Sequence, residues 1–167
     1  VPTGHDMGRE FKILSALSPH WDKAPTPHCF CDDAAIIGAP FYVMERVKGV
    51  ILRKATHPGL DLDEAYMASA CQTLIDTLAE IHSLDVDSVG LSDLGRPEGY
   101  IKRQVEGWSR RYQRAKTDTI ESVEEVASWL LDHMPAEVSP TIIHNDYNYD
   151  NLVLSLEGPE RAIAVLD

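Results

Sequence analysis

The sequence predicts an α+β domain, and three features of its pattern carry that expectation. Apolar residues recur at spacings of three and four near the N-terminus and through the middle of the chain, as in amphipathic helices. β-Branched and aromatic runs bounded by Asp, Gly and Pro mark short strands. The resulting order is helix, strands, helices and then a β-hairpin, with no internal repeat. A chain of 167 residues suffices for one domain with a sizeable core.

Residues 7 to 17, "MGREFKILSAL", read as a short helix with Phe11, Leu14 and Leu17 on one face and Glu10 beside it. A Pro-rich link, "SPHWDKAPTP", follows. The runs "HCFC", "AAIIG" and "FYVMERV" then give strand signals in hairpin order, punctuated at Asp32-Asp33 and Pro40. From Asp61 the period lengthens. Asp61 and Glu64 resemble a capping box with Asp in the Ser or Thr place. Met67, Cys71, Leu74, Leu78 and Ile81 form the expected core stripe of a long helix ending near Leu84, with His82 expected as a packed histidine on it. Two further helices are expected after a polar loop. One carries Ile101, Val105, Trp108 and Tyr112 on one face; the other, from about Thr119 to Met134, turns Ile120, Val123, Ala127, Leu130 and Met134 inward. After Pro140 the period returns to two: "TIIH", "NLVLS" and "AIAVL" read as strands, the last two joined by "LEGPER". A boundary near residues 47 to 60 separates a small mixed part from a mainly helical one.

Composition and charge exclude several function classes. The chain is 44% hydrophobic and 25% charged, as folded proteins are. Its formal net charge is −12 and no basic run exceeds Arg110-Arg111, which argues against nucleic acid as a partner, because a phosphate backbone requires clustered Lys and Arg. No apolar run approaches the roughly 18 residues of a membrane span, and there is no signal peptide. Cys29, Cys31 and Cys71 cannot all pair within the chain. Cys29 and Cys31 share one strand face and are expected to be small buried hydrophobes rather than half of a zinc site. A reducing cytoplasm fits this usage. The chain opens on Val1 and closes on Asp167 directly after "RAIAVL", so it reads as a fragment cut at both ends, since a strand edge would otherwise be left unpaired.

The densest polar stretch is "TIIHNDYNYDNLVLS", residues 141 to 155. Turn chemistry explains Asn145 or Asn148 singly, because Asn side chains bond nearby backbone, but not His144, Asp146, Asp150 and Asn151 together. A metal-hydrolase reading lacks a second histidine at ligand spacing. The third reading rests on His144-x-Asp146-x-x-x-x-Asn151, followed sixteen residues on by Asp167 at the end of the next hairpin. Phosphoryl transfer needs an acceptor for the substrate's hydroxyl proton and oxygen ligands for the Mg²⁺ that neutralises the nucleotide phosphates. Asp146, Asn151 and Asp167 supply all three, and HxDxxxxN is the catalytic-loop signature of kinase folds.

Taken together, "IIHNDYNYDNLVL…AVLD" resembles the catalytic segment of the aminoglycoside phosphotransferase family, choline-kinase-like small-molecule kinases that share the protein-kinase fold. "GREFKILSAL" resembles that family's N-lobe helix, "APFYVMERVKG" its last N-lobe strand and hinge, and "LAEIHSLD" its first long C-lobe helix. The resemblance implies a partial N-lobe over residues 1–47 and a partial C-lobe over 48–167. It implies ATP and Mg²⁺ as cofactors and a small-molecule hydroxyl as acceptor. Asp146 becomes the base, with His144 bracing its loop, and Asn151 and Asp167 become the Mg²⁺ ligands. Glu10 matches the glutamate that pairs with the ATP-binding lysine, and backbone at Glu45, Arg46 and Val47 would hold adenine. Asn145 stands where the family often has Gly, and Tyr147 where side chains vary.

"CDDAAIIGAPFYVMERVKG" and "GYIKRQVEGWSRRYQRAKT" further resemble the kinase domains associated with acyl-CoA dehydrogenases, where the implied acceptor is a hydroxyacyl compound rather than an aminoglycoside. The basic, aromatic helix around Trp108, Arg110, Arg111 and Tyr112 suits either an anionic acceptor or a solvated face over a packed Trp. The family's Gly-rich phosphate loop and strand lysine have no counterpart here, so the chain alone is expected to have little or no activity. The competing class is a non-catalytic kinase-like module that binds a nucleotide or a partner. Oligomeric state and the choice between ATP and GTP stay open.

Overall fold

The structure, a computed structural model, describes residues 6–53 and 60–167. Residues 54–59 of the long connector "KGVILRKATHPGL" therefore lie outside the described residues. Two compact units are present, one of residues 1–91 with 141–167 and the other of residues 92–140.

In the first unit, helix α1 spans Met7–Leu17, as its periodicity predicts, and Asp6 caps it by accepting from the Arg9 amide. Its Phe11 packs on Phe30 and Tyr42, with ring centroids 5.9 and 6.4 Å apart. Those rings stand on strands β1 (Pro27–Cys31) and β2 (Phe41–Met44), an antiparallel pair. Between them "AAII" is not a strand. It forms a helical turn, α2 (Ala34–Ile37), because Asp33 accepts from the Ala35 amide at its start and Gly38 closes it at φ 93°. Those two caps override the β-branched pair Ile36-Ile37, which is exposed. Cys29 is also exposed and Cys31 only half-buried, contrary to the expectation of buried thiols; all three cysteines are free.

Helix α3 spans Glu64–Ser83 and starts two residues later than the capping-box reading allows, since Asp63 and not Asp61 caps the Tyr66 amide. Its buried line is Ala70, Thr73, Thr77 and Ile81, offset from the predicted stripe. Cys71 and His82 are exposed. The reason is chemical: the helix packs on a polar backbone as well as on side chains. Thr73 Oγ1 donates to the Pro159 carbonyl at 2.6 Å, and a buried hydroxyl so paired carries no desolvation penalty.

The core of this unit is the C-terminal hairpin, β3 (Leu152–Ser155) and β4 (Gly158–Val165), joined by the two-residue turn Leu156-Glu157. All four residues of β3 are buried. Neither hairpin edge is left bare. Val50 exchanges both backbone hydrogen bonds with Leu154, at 2.9 and 2.8 Å, and the Val165 amide donates to the Lys23 carbonyl at 2.9 Å. Gly49 permits the first of these contacts, because a β-carbon there would overlap the Leu154 carbonyl and Val153 Cγ1. "TIIH" is not a strand but an irregular approach to the hairpin, held by the Thr141 hydroxyl donating to the His82 carbonyl.

The second unit contains α4 (Tyr100–Ala115) and α5 (Glu121–Asp132), and neither helix has a buried residue. Ile120, Val123 and Leu130, expected to face inward, are exposed. Among the described residues, no helix is long and apolar enough to cross a membrane.

Candidate active site

The loop from His144 to Asn151 lies in the first unit and enters β3 through a single 3₁₀ turn, Tyr149–Asn151. His144 Nε2 lies 3.0 Å from the Leu166 carbonyl. A carbonyl only accepts, so Nε2 is the donor in this bond. Nδ1 is buried and unpartnered, with the Tyr147 ring edge-on at 5.7 Å between centroids. The Nε2 donor is thus committed to main chain, which fits a brace.

Asp146 is exposed at the crest of the loop and is gripped by two amides. Asn148 Nδ2 donates to its carbonyl at 3.0 Å and to Oδ1 at 3.1 Å. Asn151 Nδ2 donates to the same carbonyl at 3.0 Å and to Oδ2 at 3.2 Å. Both carboxylate oxygens therefore have fixed directions. Asn148 also accepts from the Asp150 amide at 2.7 Å, so Asp150 serves the turn through its backbone. With its nitrogen engaged, Asn151 turns its other end, a carbonyl oxygen, away from Asp146.

Leu166 joins this loop to the hairpin end. Its amide donates to the Asn151 carbonyl at 2.8 Å, while its carbonyl receives His144. Asp167 follows this joint directly in the chain. Among the described residues only Asn145 and Asp167 are non-glycine residues at positive φ, 67° and 76°. Asn and Asp are the residues that tolerate this region best, and such strain gathers at functional sites. The backbone at 145 explains why Gly or Asn suits that position.

Glu10 reaches the same neighbourhood through Tyr42. Burial first, then the charge of Glu10 and a hydrogen bond to it, and then the charge of Asp167, push the Tyr42 phenol up to about 12. Tyr42 therefore stands within electrostatic reach of both carboxylates. The proposed hinge, Glu45 to Val47, follows β2 directly; the Glu45 amide donates to the Thr26 carbonyl at 2.9 Å. Among the described residues, no hydrogen bond engages the backbone of Arg46 or Val47, and none ties the three to the loop.

Sequence reasoning missed Tyr42, Tyr147 and Tyr149. Tyr147 Oη donates to the Leu74 carbonyl of α3 at 2.7 Å, and Tyr149 Oη donates to Cys71 Sγ at 3.1 Å. Burial above all pushes both phenols up to about 12.

The sequence pattern of the phosphotransferase enzyme family matches residues 2–167. Acyl-CoA dehydrogenase family member 11 of Rattus norvegicus is 38% identical over the whole chain, which covers 21% of that protein. Acyl-CoA dehydrogenase family member 10 of Mus musculus is 37% identical over the whole chain, which covers 15% of it. A crystal structure assigned as an aminoglycoside phosphotransferase from Ralstonia eutropha superposes with a TM-score of 0.82 at 32% identity, over 96% of this chain and 49% of that one. The chain thus spans about a fifth of the rat relative and about half of the solved structure. With its whole length matched, the chain belongs to the phosphotransferase enzyme family.

Proposed function

We propose that this chain carries the catalytic loop of an ATP-dependent small-molecule O-phosphotransferase of protein-kinase-like fold. The observation that supports it most is the double hydrogen bonding of Leu166, which joins the loop bearing Asp146 and Asn151 to the residue before Asp167. Asp146, its carboxylate aimed by two asparagine amides, accepts the acceptor's hydroxyl proton and points the oxygen at the phosphorus. His144 keeps the loop seated. Glu10 would meet a lysine on the phosphates, and the backbone of Glu45, Arg46 and Val47 would face adenine.

The residues fit Mg²⁺. Asn151 Oδ1 and the Asp167 carboxylate are hard oxygen donors, and the Leu166 amide ties the backbone of Asn151 to the residue before Asp167. Among the described residues no three His, Cys, Asp or Glu side chains form a closed cage, and Mg²⁺ typically takes one or two carboxylates plus phosphate oxygens. When bound, the ion would neutralise the nucleotide's phosphate charge. Our choice of a hydroxyacyl compound as the acceptor rests on the resemblance to kinase domains associated with acyl-CoA dehydrogenases and on relatives of that name, whereas the solved neighbour is assigned as an aminoglycoside phosphotransferase.

The test is Mg-ATP consumption by the full-length protein against hydroxyacyl-CoAs, aminoglycosides, choline and sugars. Asp146→Ala should lower kcat by at least about 10²-fold, the scale of general base catalysis. Unchanged turnover in that variant sinks the assignment, and nucleotide binding without turnover across the panel favours a non-catalytic module.

A further inference from the structure

Two phenols fasten the loop to α3 at points one helical turn apart. Tyr147 directly follows Asp146 and donates to the Leu74 carbonyl, while Tyr149 donates to Cys71 three residues earlier on the helix. Residues three apart on a helix lie on one face, about 4.5 Å apart along the axis. One attachment would leave the loop free to pivot. Two set both its height along α3 and its rotation. Tyr147 and Tyr149 also pack against the hairpin core that includes Leu152 and Leu154, so each ring is seated as well as hydrogen-bonded. Hairpin and α3 are themselves joined through Thr73, so all three parts of the frame move together.

We infer that Tyr147 and Tyr149 are positioning residues that set where the Asp146 carboxylate stands, a role that rests on the phosphotransferase reading. Neither phenol touches the reacting atoms. Tyr147 acts on the base through the adjoining peptide, and Tyr149 acts through the turn that carries Asn151. Losing both hydroxyls slackens the loop while leaving the rings in the core. The chemical step slows, and nucleotide binding, which draws on other residues, is preserved.

The experiment compares the full-length protein with Tyr147→Phe, Tyr149→Phe and the double variant. Hydrogen–deuterium exchange is followed over residues 143–151, and ATP hydrolysis is followed with water as the acceptor. The double variant should exchange loop amides at least about tenfold faster with α3 and the hairpin unchanged, as loss of two hydrogen bonds predicts. It should also lose about 10²-fold in kcat at unchanged KM for Mg-ATP, the scale of a misplacement of about 1 Å, with each single variant falling between. Unchanged loop exchange overturns the anchoring. Faster exchange with unchanged kcat, or a raised KM in place of a lowered kcat, overturns the positioning role. Turnover retained in Asp146→Ala defeats the phosphotransferase reading instead and leaves the anchoring intact.

Discussion

The hairpin and the helix pair α4–α5 both carry large apolar side chains, yet only the hairpin is built into an interior. Leu152 and Leu154 are 0% exposed, whereas Trp108 and Trp129 are 62% and 55% exposed. The hairpin borrows partners from distant sequence: Lys23 on one edge, Val50 on the other and α3 across its face. The helix pair relies on neighbours along its own helices and connector. Arg111 stacks on Trp108 at 4.6 Å, Glu106 pairs with Lys102 and Arg110, and Lys116 pairs with Glu124. Exposed pairs of this kind are worth little individually. Long-range contacts therefore converge on the hairpin, and the loop bearing the candidate base is joined to that frame.

Paired truncations break or sharpen this contrast most strongly. Leu154→Ala should cost about 2–5 kcal/mol in denaturant unfolding, since it empties a closed interior, while Leu130→Ala, 39% exposed, should cost well under half of that. Equal losses would show that the helix pair is as tightly built as the hairpin. A smaller effect is expected at the strained loop. Asn145→Val should cost about 1–2 kcal/mol because a β-branched residue resists positive φ, and Asn145→Gly should be neutral or stabilising.

The smallest effect at neutral pH is confined to alkaline conditions. Tyr42, Tyr147 and Tyr149 are each pushed up to about 12, mainly by burial, against about 10 in an unfolded chain. Above pH 10 the unfolded state releases protons that the folded state retains, so stability falls with rising pH. Their contribution is fully present below about pH 10 and is lost towards about pH 12. Tyr147→Phe should flatten that decline, and an unaltered slope in this variant would place the titration elsewhere.

Legibility in the sequence follows the same division. Helix α1 was readable to both ends because its apolar period and acidic start are local signals. That His144, Asp146 and Asn151 belong to one loop was readable because polar residues at fixed spacing between two apolar runs are a local signal. The buried face of α3 was not, since its central residues are Thr73 and Thr77, polar side chains made acceptable by partners that no local window contains. "AAII" misled because two single-residue caps outweigh strand propensity over four residues. Tyr147 looked variable because nothing around it announces that α3 supplies the acceptor for its hydroxyl.

Leu166 itself enters its joint only through peptide groups, its amide to the Asn151 carbonyl and its carbonyl to the His144 imidazole. Every amino acid but proline has both the donor and the acceptor that it uses. Side chains at 166 can therefore drift over generations without unfastening the loop from the hairpin. The demand on residue identity in this connection falls on His144, and position 166 carries none of it.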